Sequence, residues 1–169
     1  MICNNLHVEK DGEGNVNLVG QSQDEQLVAN IANQSLYFSL VFRNKKAIGL
    51  KDNQDGSIIG YKILRTIDFS PSRKLMTVVV ESRDKKIYAF TKGADAAVLP
   101  LLNRGDLESE SVQGILRSVE NFTHQSLRVI IYAFKEIRHL DADSVKTAPV
   151  SSLETNLKLI GSTGSQETL

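Results

Sequence analysis

Short runs in which apolar residues alternate with polar ones recur along this chain and predict a protein built largely of β-strands. The clearest run is Arg-Val-Ile-Ile-Tyr-Ala-Phe-Lys-Glu-Ile at 128–137, which is rich in the β-branched and aromatic residues that strands favour. Turn-forming residues at 10–15 and 83–85 join neighbouring runs, so we expect a hairpin at each place. The predicted strands cover 6–9, 16–20, 36–43, part of 58–69, 74–82, 86–91 and 128–137.

Apolar residues at helical spacing predict two longer helices between these strands. The first runs from about 24 to 35, where Leu27, Val28 and Ile31 follow Ser22 and Asp24, residues that favour helix N-termini. The second runs to about residue 125 and is predicted by Val112, Ile115, Leu116, Val119 and Phe122.

Shorter segments complete the prediction. Short helices are expected at 96–102 and about 151–155, polar connections at 104–110 and 138–149, and an apolar segment at 157–160. Hairpins join the strands, and the helices are inserted singly without regular βα alternation. This pattern predicts an α+β fold, with a mainly antiparallel twisted sheet flanked by helices.

The composition is that of an ordinary globular domain, with 41% hydrophobic and 24% charged residues. The 169 residues suffice for one domain with a substantial core, so 1–169 is expected to form a single domain. The 20 basic and 20 acidic residues cancel, so the chain lacks the positive field of a nucleic-acid-binding protein. Its one cysteine excludes an internal disulfide, and no cluster of cysteine and histidine suits zinc.

Candidate chemistry is concentrated between residues 68 and 95. Phe69 ends a predicted strand, where its ring can stack on an adenine, an interaction worth about 1–3 kcal/mol. A core phenylalanine is the alternative interpretation. Arg73 and Lys74 begin the next predicted strand and point to opposite faces, so at most one of them reaches a ligand beside Phe69. Solvated charges at a strand end are the alternative for both.

Three further positions suit an anionic ligand that carries an aromatic ring. Lys92 offers a positive charge to a phosphate, and the adjacent Gly93 allows a close backbone approach. Arg128 lies at a helix-to-strand junction, where its guanidinium can hold phosphate or ribose oxygens. Glu25, in the first turn of its helix, either simply favours that helix end or accepts a hydrogen bond from an exocyclic amine.

Catalytic motifs are not visible in the sequence. No glycine-rich phosphate loop, catalytic triad or supported pair of carboxylates is found. The residues alone therefore predict a nucleotide-binding module without catalytic or metal-binding residues of its own.

Several blocks, in this order, give the chain a recognisable pattern. They are Cys3-Asn4, the Gln-Ser-Gln-Asp-Glu-Gln-Leu-Val block at 21–28, Phe69–Met76, Lys-Gly-Ala-Asp at 92–95, Ser126-Leu127-Arg128 and the segment 156–161. Over nearly its whole length the chain resembles the nucleotide-binding domain of P-type ATPases, in particular the phospholipid-transporting flippases. It departs from the flippase pattern at Gln23, where the family has proline, at Pro71 and Leu75 within the 69–76 block, and at Ser126, where the family has glycine. Residues 161–167 also replace a more apolar and more acidic stretch of the family.

The resemblance implies a role for each candidate residue. Phe69 would stack on adenine, and Glu25 would bond its amino group. Lys92, next to Gly93, would lie deep in the pocket near adenine and the phosphates, which Arg128 would reach. The residues expected to line the rim are Ser70, Arg73 and Lys74.

The resemblance also implies a parent protein. Residues 1–169 would be a fragment of a multi-pass membrane ATPase, lying on the cytosolic side and presenting ATP to a phosphorylation domain outside this chain. The parent would be an Mg²⁺-dependent enzyme, whereas this domain would bind ATP without turning it over. Its expected partners are ATP, the phosphorylation and actuator domains of the same parent and a possible accessory subunit.

Two alternatives stay open at this point. One is the equivalent domain of a cation-transporting P-type ATPase. The other is an interaction domain that has lost nucleotide binding, for which the departures at Gln23, Pro71 and Ser126 are the support.

Overall fold

The structure, a computed structural model, describes residues 1–35 and 37–166. Within these residues the largest element is an antiparallel sheet of seven strands, each paired with its neighbours in sequence. A separate two-stranded hairpin precedes it. The hairpin strands are β1 (His7–Lys10) and β2 (Val16–Val19), and the sheet strands are β3 (Phe38–Arg43), β4 (Ala47–Asp52), β5 (Ile58–Ile67), β6 (Leu75–Glu81), β7 (Ile87–Gly93), β8 (Arg128–Ile137) and β9 (Lys158–Ser165).

Two longer helices and several short ones are inserted between the strands. Ser22 and Ser109 cap the two longer helices by accepting hydrogen bonds from backbone N–H groups of the first turn. The helices are α1 (Gln23–Asn33), α2 (Asp95–Val98), α3 (Glu110–His124), α4 (Ser144–Thr147) and α5 (Val150–Leu153), with 3₁₀ turns at Leu99–Leu101 and Arg104–Asp106. None of the helices in the described part of the chain is both long and apolar enough to cross a bilayer.

One face of the sheet is covered by the segment that runs from the start of the chain through α1. Val78 and Val80 of β6 point to this face, because side chains alternate along a strand. They belong to a buried cluster with Leu6 from the first segment, Leu40 from β3 and Ala29 from α1. The cluster fixes α1 against the sheet and thereby sets the position of its N-terminus.

The opposite face is covered by the later helices. Val79 points to this side and packs in a cluster with Val145 of α4 and Leu153 of α5. A neighbouring cluster joins Val119 of α3 to Ile131 of β8. The sheet is therefore buried on both faces over its central strands, which explains the unbroken apolar run of β6.

The predicted α+β fold with a mainly antiparallel sheet is confirmed. The strand predicted at 36–43 is found at Phe38–Arg43, while Leu36 lies outside the described residues. The pattern missed β4, since Gly49 interrupts its apolar residues and glycine disfavours strands. The predicted apolar segment at 157–160 belongs to the longer β9, whose pairing with β8 continues to Ser165 opposite Arg128.

Two predicted polar connections also contain regular structure. The connection at 104–110 holds a 3₁₀ turn and the first residue of α3, and the connection at 138–149 holds α4. Val145 is fully buried, so packing against the sheet stabilises α4 despite its polar sequence. The helix predicted at 96–102 consists of α2 followed by a 3₁₀ turn.

Candidate functional site

An open cavity of about 940 Å³ lies where α1 begins, where β7 ends and where β8 begins. The loop between β5 and β6 forms another part of its wall. Its volume is within the range of about 300–1,000 Å³ found for small-molecule sites. The described residues that line it are Asn5, Gln21, Ser22, Asp24, Glu25, Asp68, Phe69, Pro71, Lys74, Met76, Lys92, Gly93, Ala94, Arg128, Val129 and Ile130.

Glu25 and Lys92 form an ion pair inside this cavity. Lys92 Nζ donates to Glu25 Oε1 at 2.5 Å, and the two side chains are only 14% and 11% exposed. Ser22 and Glu25 have the spacing of a capping box, in which the carboxylate would bond back to the cap residue. The Glu25 carboxylate instead accepts from Lys92 and, at 3.1 Å, from the backbone N–H of Asn5. Glu25 therefore connects α1 to both the first segment of the chain and β7.

Phe69 is an exposed aromatic residue on the cavity wall. The sequence placed it at the end of a strand, but β5 ends at Ile67 and Phe69 lies in the following loop. The residue is 58% exposed and is among those that line the cavity. The preceding residue, Asp68, accepts a hydrogen bond of 2.8 Å from Asn5 Nδ2, which ties the base of the loop to the first segment.

Ser70 organises the loop that carries Phe69 and lies outside the cavity lining. Its side-chain oxygen accepts from the backbone N–H of Arg73 at 3.3 Å, and its carbonyl accepts from that of Lys74 at 2.8 Å. These bonds form a tight turn. The side chain of Ser70 is thus engaged within the loop.

Arg73 and Lys74 do not follow the alternation expected for a strand. The strand β6 begins only at Leu75, and Lys74 has a positive φ of 56°, which breaks any period-two pattern. Lys74 lines the cavity, whereas Arg73 does not. Backbone geometry, rather than strand alternation, separates these two positions.

Arg73 is bound to Glu154, which follows α5. Its Nη2 lies 2.5 Å from Oε1 and 2.7 Å from Oε2 of Glu154, whose side chain is 8% exposed. Thr77 donates to the same Oε1 at 2.7 Å and is 2.8 Å from the hydroxyl of Thr91. This buried polar network joins the Phe69 loop to β6, β7 and the segment after α5.

Gly93 is required where β7 passes close to the start of β6. A Cβ atom at this position would lie 2.7 Å from Leu75 Cβ and 2.8 Å from Leu75 Cα. It would also collide with the carbonyl oxygen of Lys74, which accepts a hydrogen bond of 3.0 Å from the N–H of Ala94. Glycine thus permits the close backbone approach beneath Lys74 and Lys92.

Arg128 pairs with Asp24, which lies next to Glu25 in the first turn of α1. Its Nη1 lies 2.8 Å from Asp24 Oδ2, with the Arg128 side chain 54% and the Asp24 side chain 21% exposed. The hydroxyl of Ser165, at the end of β9, donates to the other Asp24 oxygen at 3.2 Å. Asp24 therefore links the start of α1 to the start of β8 and the end of β9.

The turn before Arg128 holds a left-handed backbone at Ser126. Its φ is 56°, a region that glycine adopts without cost and other residues adopt with strain. The family block that resembles this segment has glycine here. The structure thus gives a physical reason for glycine at this position.

Two groups near the cavity, on Cys3 and Arg43, have shifted pKa values. Burial raises the pKa of the Cys3 thiol to about 11, with Lys92 opposing the shift. Burial lowers the pKa of the Arg43 guanidinium, with Glu25 opposing. Arg43 Nη2 is 3.5 Å from Asn5 Oδ1, and no described group bonds its Nε. Neither residue is among the described residues that line the cavity.

The fold brings six of the eight predicted site residues to one cavity. Ser70 and Arg73 lie in the same loop but outside the lining. Sequence reasoning missed Asp24 as a site residue, although it lies beside Glu25 in the first turn of α1, and it missed Glu154, for which the sequence carries no signal. The six residues at the cavity are Glu25, Phe69, Lys74, Lys92, Gly93 and Arg128.

No cluster of three or more acidic, histidine or cysteine side chains in the described ranges is arranged to hold a metal ion. The described charges at the cavity are three carboxylates and three basic groups. The cavity combines an exposed aromatic ring with cations, and two of these cations are paired with carboxylates of α1.

Comparison with known proteins gives a consistent set of relatives. The family described as "P-type ATPase, cytoplasmic domain N" matches residues 1–169. Phospholipid-transporting ATPase 2 of Arabidopsis thaliana is 32% identical over 155 residues, which cover 90% of this chain and 13% of that protein. Human Phospholipid-transporting ATPase ID is 25% identical over 185 residues, covering 99% of this chain and 15% of that protein. Human Phospholipid-transporting ATPase IG is 27% identical over 168 residues, which cover 89% of this chain and 14% of that protein. The chain thus spans between 13% and 15% of the length of these curated relatives.

Proposed function

Because the chain belongs to the family of P-type ATPase cytoplasmic N domains, we propose that it binds ATP in the cavity beside Phe69. The observation that carries the proposal is the convergence of Phe69, Lys92 and Arg128, from distant parts of the chain, on one nucleotide-sized cavity. An aromatic face beside several cations suits a base attached to phosphates.

Each part of ATP has a counterpart in the cavity. Phe69 stacks on the adenine ring, and Glu25 accepts a hydrogen bond from its amino group. Glu25 can do so while it stays paired with Lys92, because a carboxylate has about four acceptor positions. Lys74, Lys92 and Arg128 face the phosphates, and Gly93 lets the ligand approach the backbone closely.

Ser70 and Arg73 act on ATP through the loop rather than by direct contact. The Ser70 hydroxyl is engaged within the turn, and the guanidinium of Arg73 is bound to Glu154. Both bonds lie just after Phe69 in the chain and fix this side of the loop. The two residues are thus positioning residues for the stacking ring.

The domain presents ATP to another domain and performs no chemistry itself. The chain is homologous to the N domains of phospholipid-transporting P-type ATPases, so we infer a longer membrane protein that moves phospholipid. Its phosphorylation and actuator domains are the inferred partners, with a possible accessory subunit, and this domain faces the cytosol. Mg²⁺ is expected to be needed for phosphoryl transfer in that protein, with its ligands outside this chain.

The alternatives receive less support. A cation-transporting parent finds no counterpart among the named relatives, which are phospholipid-transporting proteins. An interaction domain without nucleotide would be favoured by a crowded Phe69, yet this side chain is 58% exposed at an open cavity.

Titration of ATP into the ¹⁵N-labelled chain, followed by amide chemical shifts, tests the proposal. We expect shifts for Phe69, Gly93 and Ala94 and for the start of β8, and no release of inorganic phosphate. Amide positions that stay constant up to millimolar ATP would count against nucleotide binding.

A further inference from the structure

Asp24 holds one of the cations proposed to meet the phosphates of ATP. Its Oδ2 is 2.8 Å from Arg128 Nη1, and both residues line the cavity. The hydroxyl of Ser165 donates to the other oxygen of this carboxylate, which lies in the first turn of α1, capped by Ser22. The Asp24 carboxylate therefore already occupies one of the N–H donors of Arg128 that a phosphate would use.

The pair of Asp24 with Arg128 matters for phosphate binding because the acidic and basic side chains that line the cavity are equal in number. Among the described lining residues, Asp24, Glu25 and Asp68 are balanced by three basic side chains. A polyanionic ligand thus gains little attraction from the lining as a whole, and its binding depends on which local pairs it can replace. The pair of Glu25 with Lys92 is largely desolvated, whereas the Arg128 side chain is 54% exposed and its pair is open to exchange.

We propose that Asp24 is an internal counter-ion that competes with nucleotide phosphate for Arg128. It lowers the affinity of the cavity for phosphorylated adenine ligands while leaving the affinity for adenosine unchanged. This inference rests on the proposed function of the same cavity. It gives the two carboxylates at the start of α1 different roles, since Glu25 is proposed to serve the adenine and Asp24 opposes the phosphates.

The inference predicts a gain of binding from the loss of a charge. Asp24→Asn keeps an oxygen for the hydroxyl of Ser165, and Ser22 still caps the helix, but the substitution removes the negative charge that pairs with the guanidinium of Arg128. Because exposed ion pairs are weak, we expect ATP and ADP to bind about three- to tenfold more tightly. Adenosine has no phosphate and should bind within about twofold of the original affinity.

The experiment is calorimetric titration of the 169-residue chain with ATP, ADP and adenosine. The increase in ATP affinity caused by Asp24→Asn should fall below about twofold when Arg128 is also replaced by Gln. The competing pair is then absent with either residue at position 24, and the double-mutant cycle measures this difference. Asp68→Asn is the matched control. It removes a carboxylate from the same cavity, but that carboxylate accepts a hydrogen bond from Asn5 Nδ2, so a smaller gain is expected. Asp24→Ser replaces the Asn variant if thermal unfolding shows the latter to be misfolded.

The outcomes separate the inference from the proposed function. If the unmodified chain binds neither ATP nor adenosine, the proposed function fails and the inference fails with it. If the chain binds ATP but Asp24→Asn binds it no more tightly, only the inference fails. An equal gain for adenosine, an equal gain in Asp68→Asn or persistence of the gain without Arg128 would each also overturn it.

Discussion

Arg73 and Glu154 are joined by one guanidinium nitrogen that contacts both carboxylate oxygens, at 2.5 Å and 2.7 Å. The two residues are 81 positions apart in the chain. The contact anchors the Phe69 loop to Glu154, a buried residue that directly follows α5. Arg73 thus influences the cavity without lining it.

Replacement of this carboxylate should weaken both the fold and the site. Glu154→Gln leaves the guanidinium of Arg73 without its charged partner, at a cost of about 1–3 kcal/mol in the free energy of unfolding. The Kd for ATP should rise as well, because the loop that carries Phe69 loses its anchor. Urea denaturation and ATP titration of the same variant measure the two effects.

Glu136→Gln provides the control for this loss of charge. Glu136 pairs with Arg138 at 2.8 Å, but the Arg138 side chain is 81% exposed. We expect a change below about 0.5 kcal/mol and an unchanged Kd for ATP. Equal destabilisation by Glu136→Gln and Glu154→Gln would contradict a special role for the buried network.

Gly93→Ala should destabilise the floor of the cavity. Its Cβ would lie within 2.7–2.8 Å of Leu75, and relief requires β6 and β7 to separate. We expect a loss of about 1–3 kcal/mol in the free energy of unfolding and weaker ATP binding. Thermal or chemical denaturation measures the loss.

Gly60→Ala is the matched control for this glycine. Gly60 lies in β5, and a Cβ there would meet no atom within 4 Å. The change should stay within about 0.5 kcal/mol. If Gly93→Ala is tolerated as well as Gly60→Ala, the two strands β6 and β7 do not approach each other as closely at Gly93 as described.

Ser126→Gly should stabilise the domain. Ser126 has a φ of 56°, so glycine removes backbone strain that amounts to roughly 1 kcal/mol. Ser118→Gly, at an exposed position inside α3, should instead destabilise by about 0.5 kcal/mol. Melting curves of the two variants should move in opposite directions. A lower melting temperature for Ser126→Gly would rule out the left-handed turn.

The sequence predicted those parts of the fold that depend on local patterns. The alternation in β8 and the spacing in α3 identified both elements, because each one buries a single face against the sheet. The strand β4 was missed, since Gly49 breaks its pattern and only pairing with β3 and β5 makes it a strand. Similarly, α4 is short and polar and is stabilised by the burial of Val145.

The candidate site was predicted where residue type alone carries the chemistry. Phe69, Lys92 and Arg128 were identified as an aromatic and two cations beside turns or junctions, and the fold brings all three to one cavity. The partners of those residues could not be predicted. Glu25 and Lys92 are 67 positions apart and Asp24 and Arg128 are 104 apart, so only the sheet topology makes them neighbours.

The central claim is that Phe69 forms the adenine surface of an ATP site. Phe69→Ala should weaken ATP binding by about 1–3 kcal/mol, the range found for base–aromatic stacking. Phe42→Ala is the control, because Phe42 is also exposed (46%) but does not line the cavity.

Isothermal titration of ATP into the unmodified chain, Phe69→Ala and Phe42→Ala tests the claim most directly. The account predicts saturable binding to the unmodified chain, the same Kd for Phe42→Ala and a Kd at least about fivefold higher for Phe69→Ala. An absence of binding to the unmodified chain at millimolar ATP, or an equal Kd for all three proteins, would contradict it.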